Sequence, residues 1–336
     1  MTSSAEDTTT VMGQARASVV RKPSPNDVLE RGPSAAAVEP GPRGWKRRLE
    51  DPTNTYYRYR VARPIARVLA HTWITPNQVS FVQPLLAALA GWLVTFDDYR
   101  HVALGALCFE LRSVLDCVDG SLAREKKCSS PAGHAIDAVC DWLGVILLYA
   151  GIFWHFRLHP PPPGPWSSSF NVPAVLCLVL AQAALRSFAS DYFKTKYVSI
   201  FERGRDDTVD ALRTKLGALG ARPSLFARLD VGIGRLGHLF FEHEWFDPAR
   251  PAGPHEAQVK EIARREGSPF ARFLGALWAV SNGDAFLTLV VASMLVNQLW
   301  LGQVFFATVG WAWTLAVLVL NGWFIKSRSE PRLARA

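Results

Sequence analysis

Cysteine is scarce in this 336-residue sequence, and the five that occur, Cys108, Cys117, Cys128, Cys140 and Cys177, form neither a CxxC nor a Cys/His ligand spacing. That argues against a disulfide framework and against a structural zinc site. Apolar character is missing from residues 1–50, which are rich in Ser, Thr, Pro, Gly and Arg and offer no h-region for a signal peptide, so a disordered cytoplasmic tail is expected there. Charge, in turn, is sparse in six stretches of about 20 residues, the length that crosses about 30 Å of hydrocarbon at about 1.5 Å per residue. With 49% hydrophobic and 20% charged residues overall, only this uneven distribution separates a membrane protein from a soluble one.

The spacing predicts an all-α integral membrane bundle with spans at Asn77–Phe96, His101–Asp119, His134–Phe156, Val172–Phe193, Phe270–Val296 and Leu299–Ile325. Thr53–Thr72 mixes aromatic and aliphatic residues with Arg58, Arg60, Arg63 and Arg67, the pattern of an N-terminal amphipathic helix in the headgroup layer with its arginines toward anionic lipid; a solvated linker is the alternative. Basic residues mark every second connection. Under the positive-inside rule this places both termini, the 194–269 connection and the basic tail 326–336 in the cytoplasm. The net charge of +8 then reads as topology and contact with membrane lipid, with no nucleic-acid partner. The run His159–Pro165 is a stiff, extended connector. The 194–269 insert carries an amphipathic pattern at Val209, Leu212, Leu216 and Leu219, suited to resting on the inner leaflet or covering a site.

Ionisable residues within spans are functional candidates by default. Here the acids gather: Asp116 and Asp119 are three apart, Asp137 and Asp141 four apart, so each pair projects from one face of its own helix. Four carboxylates meeting near a membrane surface need compensation. An all-oxygen donor set suits two divalent metal ions, Mg²⁺ or Mn²⁺, and two such ions can clamp the attacking and leaving oxygens of a phosphoryl displacement. Gly120 allows close backbone approach to a phosphate, and Arg124 offers a planar fork of donors. The assembly asks for a pyrophosphate substrate.

The string Asp116-x2-Asp119-Gly120-x2-Ala123-Arg124-x8-Gly133-x3-Asp137-x3-Asp141 resembles, at every defined position, the signature of the CDP-alcohol phosphotransferases. Thr75-Pro76-Asn77-Gln78-Val79-Ser80 is similar to the segment that opens the first span in many members, and the resemblance covers roughly 55–325. The resemblance implies a transferase that cleaves the pyrophosphate of a CDP-linked donor, moves the substituted phosphoryl group to an alcohol acceptor and releases CMP, in phospholipid biosynthesis. It implies metal binding by Asp116, Asp119, Asp137 and Asp141, with Asp141 also the general base. Donor contacts would come from Gly120, Arg124, Ser130, Asn77 and Ser80, and a homodimer is what the family suggests. The first 50 residues and the long insert depart from the family's pattern.

Ser129-Ser130-Pro131-x-Gly133 and Cys140-Asp141 look like the branch that uses CDP-aminoalcohol donors, although Ser and Pro are also common punctuation before a helix. A CDP-diacylglycerol donor is the alternative. Arg186, Ser187, Lys194 and Lys196 are candidates for an acceptor pocket, Arg186 being equally suited to snorkelling. Asp284 lies in a polar notch, Ser281-Asn282-Gly283-Asp284, and either touches an acceptor or binds a neighbouring helix. Glu110 and Arg112 read as a charge-compensating set beside Asp116. A divalent-cation transporter could also line a bundle with carboxylates, but it would not need Gly120, Ala123 and Arg124 in fixed register.

Overall fold

The computed structural model describes residues 44–128, 131–164, 166–167, 171–217, 225–242, 246 and 253–326. Their regular structure is all helical, with no strand among the described residues, as expected. In chain order the helices are α1 (Trp45–Arg48), α2 (Tyr59–Ala70) after a π-helical turn at Asn54–Arg58, α3 (Pro76–Val94), α4 (Tyr99–Glu125), α5 (Pro131–Leu158) and α6 (Asn171–Arg203). Then come α7 (Asp207–Gly217), α8 (Leu225–Glu242), α9 (Gly253–Arg264), α10 (Pro269–Ala279), α11 (Gly283–Leu295) and α12 (Leu299–Phe305), the last running through a second π turn into α13 (Trp311–Lys326).

Four helical stretches, Pro76–Val94, Ile136–Leu158, Asn171–Arg203 and Leu299–Ile325, are long and apolar enough to cross a membrane. A fifth crossing counts α10 and α11 as one span. The expected count of six is therefore not reached by this measure. The missing one is α4, whose 27 residues are long enough but carry Glu110, Arg112, Asp116, Asp119, Arg124 and Glu125. The expected span Phe270–Val296 is not straight: it breaks between α10 and α11 with a bend of 50°. Asn282 causes the restart, since its Oδ1 accepts from the Ala285 N–H at 2.8 Å and caps α11.

Local chemistry fixes where α3 begins. Thr75 and Gln78 form a reciprocal capping box, the Thr75 N–H donating to Gln78 Oε1 at 2.8 Å, and Pro76 follows at the first helical position. α3 and α5 then approach backbone to backbone. A Cβ added at Gly151 would lie 2.1 Å from the Gly91 carbonyl oxygen, and one added at Gly91 would lie 2.5 Å from that of Leu147. Small residues at such crossings let membrane helices pack closely where no hydrophobic drive brings them together. Around this contact Ala87, Ala90, Phe109, Leu148, Ile152, Val179 and Phe286 form the main core.

Three expectations change at the margins. Residues 44–50 belong to the fold rather than to a tail: Trp45 and Leu49 are buried, the Trp45 ring lying 4.3 Å from that of Phe201 and its Nε1 donating to Glu266 at 2.9 Å. Residues 1–43 and 327–336 of the two expected tails lie outside the described residues. Arg58 does not face lipid but is buried, because Glu110 supplies it with a two-pronged partner. The insert is built differently from a simple connection, since α6 continues helical to Arg203 and α7, α8 and α9 fill the rest. Val209 and Leu212 are buried, as their spacing predicts, whereas Leu219 lies outside the described residues.

Gly151→Val should cost at least the ~1–3 kcal/mol typical of overpacking, because the obstructing atoms are backbone. Gly322→Ala, where nothing lies within 4 Å of an added Cβ, should leave stability unchanged or slightly raised. Melting of the detergent-purified protein checks both, and an unaltered Gly151→Val midpoint would contradict the close α3–α5 approach.

Candidate metal centre and active site

The acids meet where α4 and α5 face each other. One carboxylate oxygen from each of Asp116, Asp119 and Asp137 lies within 4.8 Å of the others, a set that could hold a metal ion. Asp116 and Asp119 share a face of α4 through their three-residue spacing, and Asp137 reaches them from the first turns of α5. Asp119 is the most deeply set, and α3 supplies its donors: Ser80 Oγ and Gln83 Nε2 each donate to Asp119 Oδ2 at 2.7 Å. Ser80, expected at the donor substrate, therefore holds a carboxylate. Gln83 was not singled out by sequence, although it lies three residues after Ser80 on the same face of α3.

Asp141 stands outside this triad. Its carboxylate is ion-paired with Arg112, which is only 2% exposed, and lies within hydrogen-bonding reach of Asp116. Arg112 fits there because Gly144, three residues after Asp141, has no side chain: a Cβ at that position would lie 3.2 Å from Arg112 Nε. A buried guanidinium thus draws one of the four carboxylates aside, while that carboxylate keeps a 42% exposed side chain. Glu110 and Arg112 do compensate charge, but with partners on other elements, Arg58 and Asp141.

Gly120 and Arg124 share the open edge of the site, a Cβ at Gly120 lying 3.7 Å from Arg124 Nη1. Arg124 is exposed, donating from Nη2 to Ser121 Oγ at 3.1 Å. Asn77 is half-buried in the first turn of α3. Ser130 lies outside the described residues.

The acceptor candidates fall on two sides. Arg186 is 4% exposed and stacks over Phe286 at 5.4 Å; its Nε and Nη2 are buried without a hydrogen-bond partner. That burial excludes snorkelling. Lys194 faces Glu50 at 3.9 Å. Asp284 accepts from Asn54 Nδ2 at 2.6 Å, so the polar notch binds a neighbouring segment, and Asn54 in turn accepts from Arg58. Asp284 remains within electrostatic reach of Asp116 and Asp141.

The donor set is all oxygen, and its three carboxylates converge with Asp119 oriented by two hydrogen bonds. That chemistry fits Mg²⁺ or Mn²⁺ and disfavours zinc.

Comparisons with known proteins bear on the same region. The ceramide phosphoethanolamine synthase family matches residues 46–178, which include all four aspartates. A ceramide phosphoethanolamine synthase of Drosophila melanogaster is 37% identical over 126 residues, 34% of this chain and 32% of that protein. A phosphatidylinositol phosphate synthase of Mycolicibacterium smegmatis is 30% identical over 186 residues, 55% of this chain and 73% of that one. A bifunctional IPC transferase and DIPP synthase of Rubrobacter xylanophilus is 37% identical over 84 residues, 25% of this chain and 19% of its own length. The chain thus spans about a third of the fly protein and nearly three quarters of the mycobacterial one.

Gln83→Leu should weaken Mn²⁺ binding by about 10–100-fold, the usual cost of losing a partner that orients a ligand. Titration of free Mn²⁺ by electron paramagnetic resonance checks this, and unchanged affinity with an intact fold would count against Asp119 as a ligand.

Proposed function

The chain belongs to the CDP-alcohol phosphotransferase family, and from that premise we propose that it transfers a substituted phosphoryl group from a CDP-linked donor to an alcohol, releasing CMP. The observation that carries this is the convergence of Asp116, Asp119 and Asp137 beside an exposed Arg124 and a glycine. Asp116, Asp119 and Asp137 would hold the divalent ions, with Asp141 at the edge of the set. Bound there, the two ions would neutralise the diphosphate and stabilise the attacking and leaving oxygens.

The protein's own groups divide the remaining work. Ser80 and Gln83 keep Asp119 in place. Arg124, beside the open backbone at Gly120, binds diphosphate oxygens through its planar fork. Asp141 takes the proton of the acceptor hydroxyl, and Arg112 aims it. Because the guanidinium also stabilises the carboxylate, the contribution of Arg112 is to orient Asp141 toward the acceptor hydroxyl and not to raise its basicity. α4 completes the bundle as a sixth span, with Arg112 and Asp119 turned inward and Leu104, Leu107 and Leu111 on its exposed face. The 54–70 segment lies along the headgroup layer, and the site opens to the cytoplasmic side, where the basic connections face.

The finer reading is transfer of an aminoalcohol phosphate from its CDP derivative to a lipid alcohol. The match to the ceramide phosphoethanolamine synthase family supports it. A second reading, transfer of a phosphatidyl group from CDP-diacylglycerol to a phosphorylated polyol, is favoured by Arg186, whose two unsatisfied buried nitrogens suit an acceptor phosphate.

CMP release by the purified protein in lipid, assayed with CDP-ethanolamine, CDP-choline and CDP-diacylglycerol, separates these. Activity with a CDP-aminoalcohol alone is expected. CMP only from CDP-diacylglycerol would favour the second reading, and no CMP from any donor, with Mn²⁺ uptake into vesicles, would favour a transporter. Asp119→Asn should abolish transfer with the fold intact. Arg112→Gln should lower kcat by up to the roughly 10²–10⁴-fold that a positioned base contributes, with donor KM little changed and Arg112→Lys partly restoring the rate; a pure KM effect would contradict the aiming role.

A further inference from the structure

The 194–269 insert carries a helix, α8, with an exposed apolar stripe besides its packed face. One face of α8 packs on α6: Val231, Gly237, His238 and Phe241 are buried, and the Phe241 ring lies 5.5 Å from Phe188, 5.1 Å from Tyr192 and 5.2 Å from Phe193. A Cβ at Gly237 would lie 3.0 Å from Phe188 Cζ, so the Phe188 ring of α6 lies directly against α8 at this point. Lys196, buried on α6, locks the end of α8 through Glu242 at 2.5 Å and the start of α7 through Asp206 at 2.8 Å. The orientation of α8 is therefore fixed by packing and by buried charge. Its other face presents Leu236, Leu239 and Phe240, 59%, 40% and 55% exposed, at the three- and four-residue spacing of one helical stripe.

Depth along α6 indicates what covers that stripe. α6 carries no charge from Asn171 to Leu185. Counted from its start, about 20 residues at about 1.5 Å each span the ~30 Å of hydrocarbon, which brings the boundary to the neighbourhood of Asp191. α8 crosses α6 at Phe188–Phe193, at that boundary, and Phe188 is itself partly exposed on the same surface. The apolar stripe thus continues the lipid-facing surface of a spanning helix. A second copy of the chain is a poor fit, because a stable interface needs roughly 20–30 residues a side and the stripe offers three large side chains.

We infer that α8 lies in the interfacial layer of the bilayer, with Leu236, Leu239 and Phe240 among the acyl chains, anchoring the insert in the leaflet. The inference holds whichever donor or acceptor the site uses.

The test uses the full-length protein in nanodiscs of phosphatidylcholine and phosphatidylglycerol, with a photo-crosslinker at one position at a time. Phe240→p-benzoylphenylalanine and Leu239→p-benzoylphenylalanine alter side chains that are already exposed, so neither disturbs the packed face. Arg203, about 22 Å beyond Phe188 along α6 at ~1.5 Å per residue, is the comparison site. Mass spectrometry should find lipid adducts at 239 and 240 several-fold above those at 203. Adduct yields at 239 and 240 no higher than at 203, or crosslinks to a second copy of the chain, would overturn the inference.

Discussion

Carboxylates a few ångströms apart repel one another, and more strongly where water is thin. Three of them nevertheless converge here between two helices of a membrane protein, with a fourth alongside. Polar side chains on the neighbouring helices are arranged around that strain. Ser80 and Gln83 donate to the most buried acid, and Arg112 is committed to Asp141. Three carboxylate oxygens within 4.8 Å of one another concentrate negative charge that a divalent metal would neutralise, and the all-oxygen set suits such an ion.

The fold supplies the rigidity such a site needs. α3 is pressed against α5 at Gly91 and Gly151 with no room for a side chain, so the helix carrying Ser80 and Gln83 cannot drift from the helix carrying Asp137 and Asp141. On the opposite flank, Arg58 reaches Glu110 on α4 and Thr288 on α11 at once, and Asn54 reaches Asp284. The segment before the first span thereby closes the bundle instead of lying apart from it. Arg58 and Glu110 are each expensive to bury alone and compatible with burial only as a pair.

Much of this was legible in the residues. The helical spacing of Asp116, Asp119, Asp137 and Asp141 placed them on facing surfaces, and the resemblance of Thr75–Ser80 to a family segment marked the opening of the first span, whose capping box the structure supplies. What could not be read was pairing between distant segments. Nothing local ties Arg58 to Glu110, Arg112 to Asp141 or Asn54 to Asp284, since each partnership depends on how helices cross. The span expected at His101–Asp119 is not among the stretches apolar enough to cross, because α4 carries charges along its length, and the span expected at Phe270–Val296 passed over the break at Asn282, where one cap outweighs apolar sequence on both sides. Gln83 was passed over because a lone glutamine in an apolar helix carries no motif; only its Ser80 neighbour and the aspartate opposite give it meaning.

The most direct measurement is an experimental structure of the protein in lipid with Mn²⁺ and a CDP-linked donor. The expected result is Mn²⁺ density among the Asp116, Asp119 and Asp137 carboxylates, the donor's diphosphate against it, and Asp141 still directed by Arg112. Mn²⁺ bound elsewhere, or those three side chains turned to separate surfaces with the donor remote from them, would contradict it.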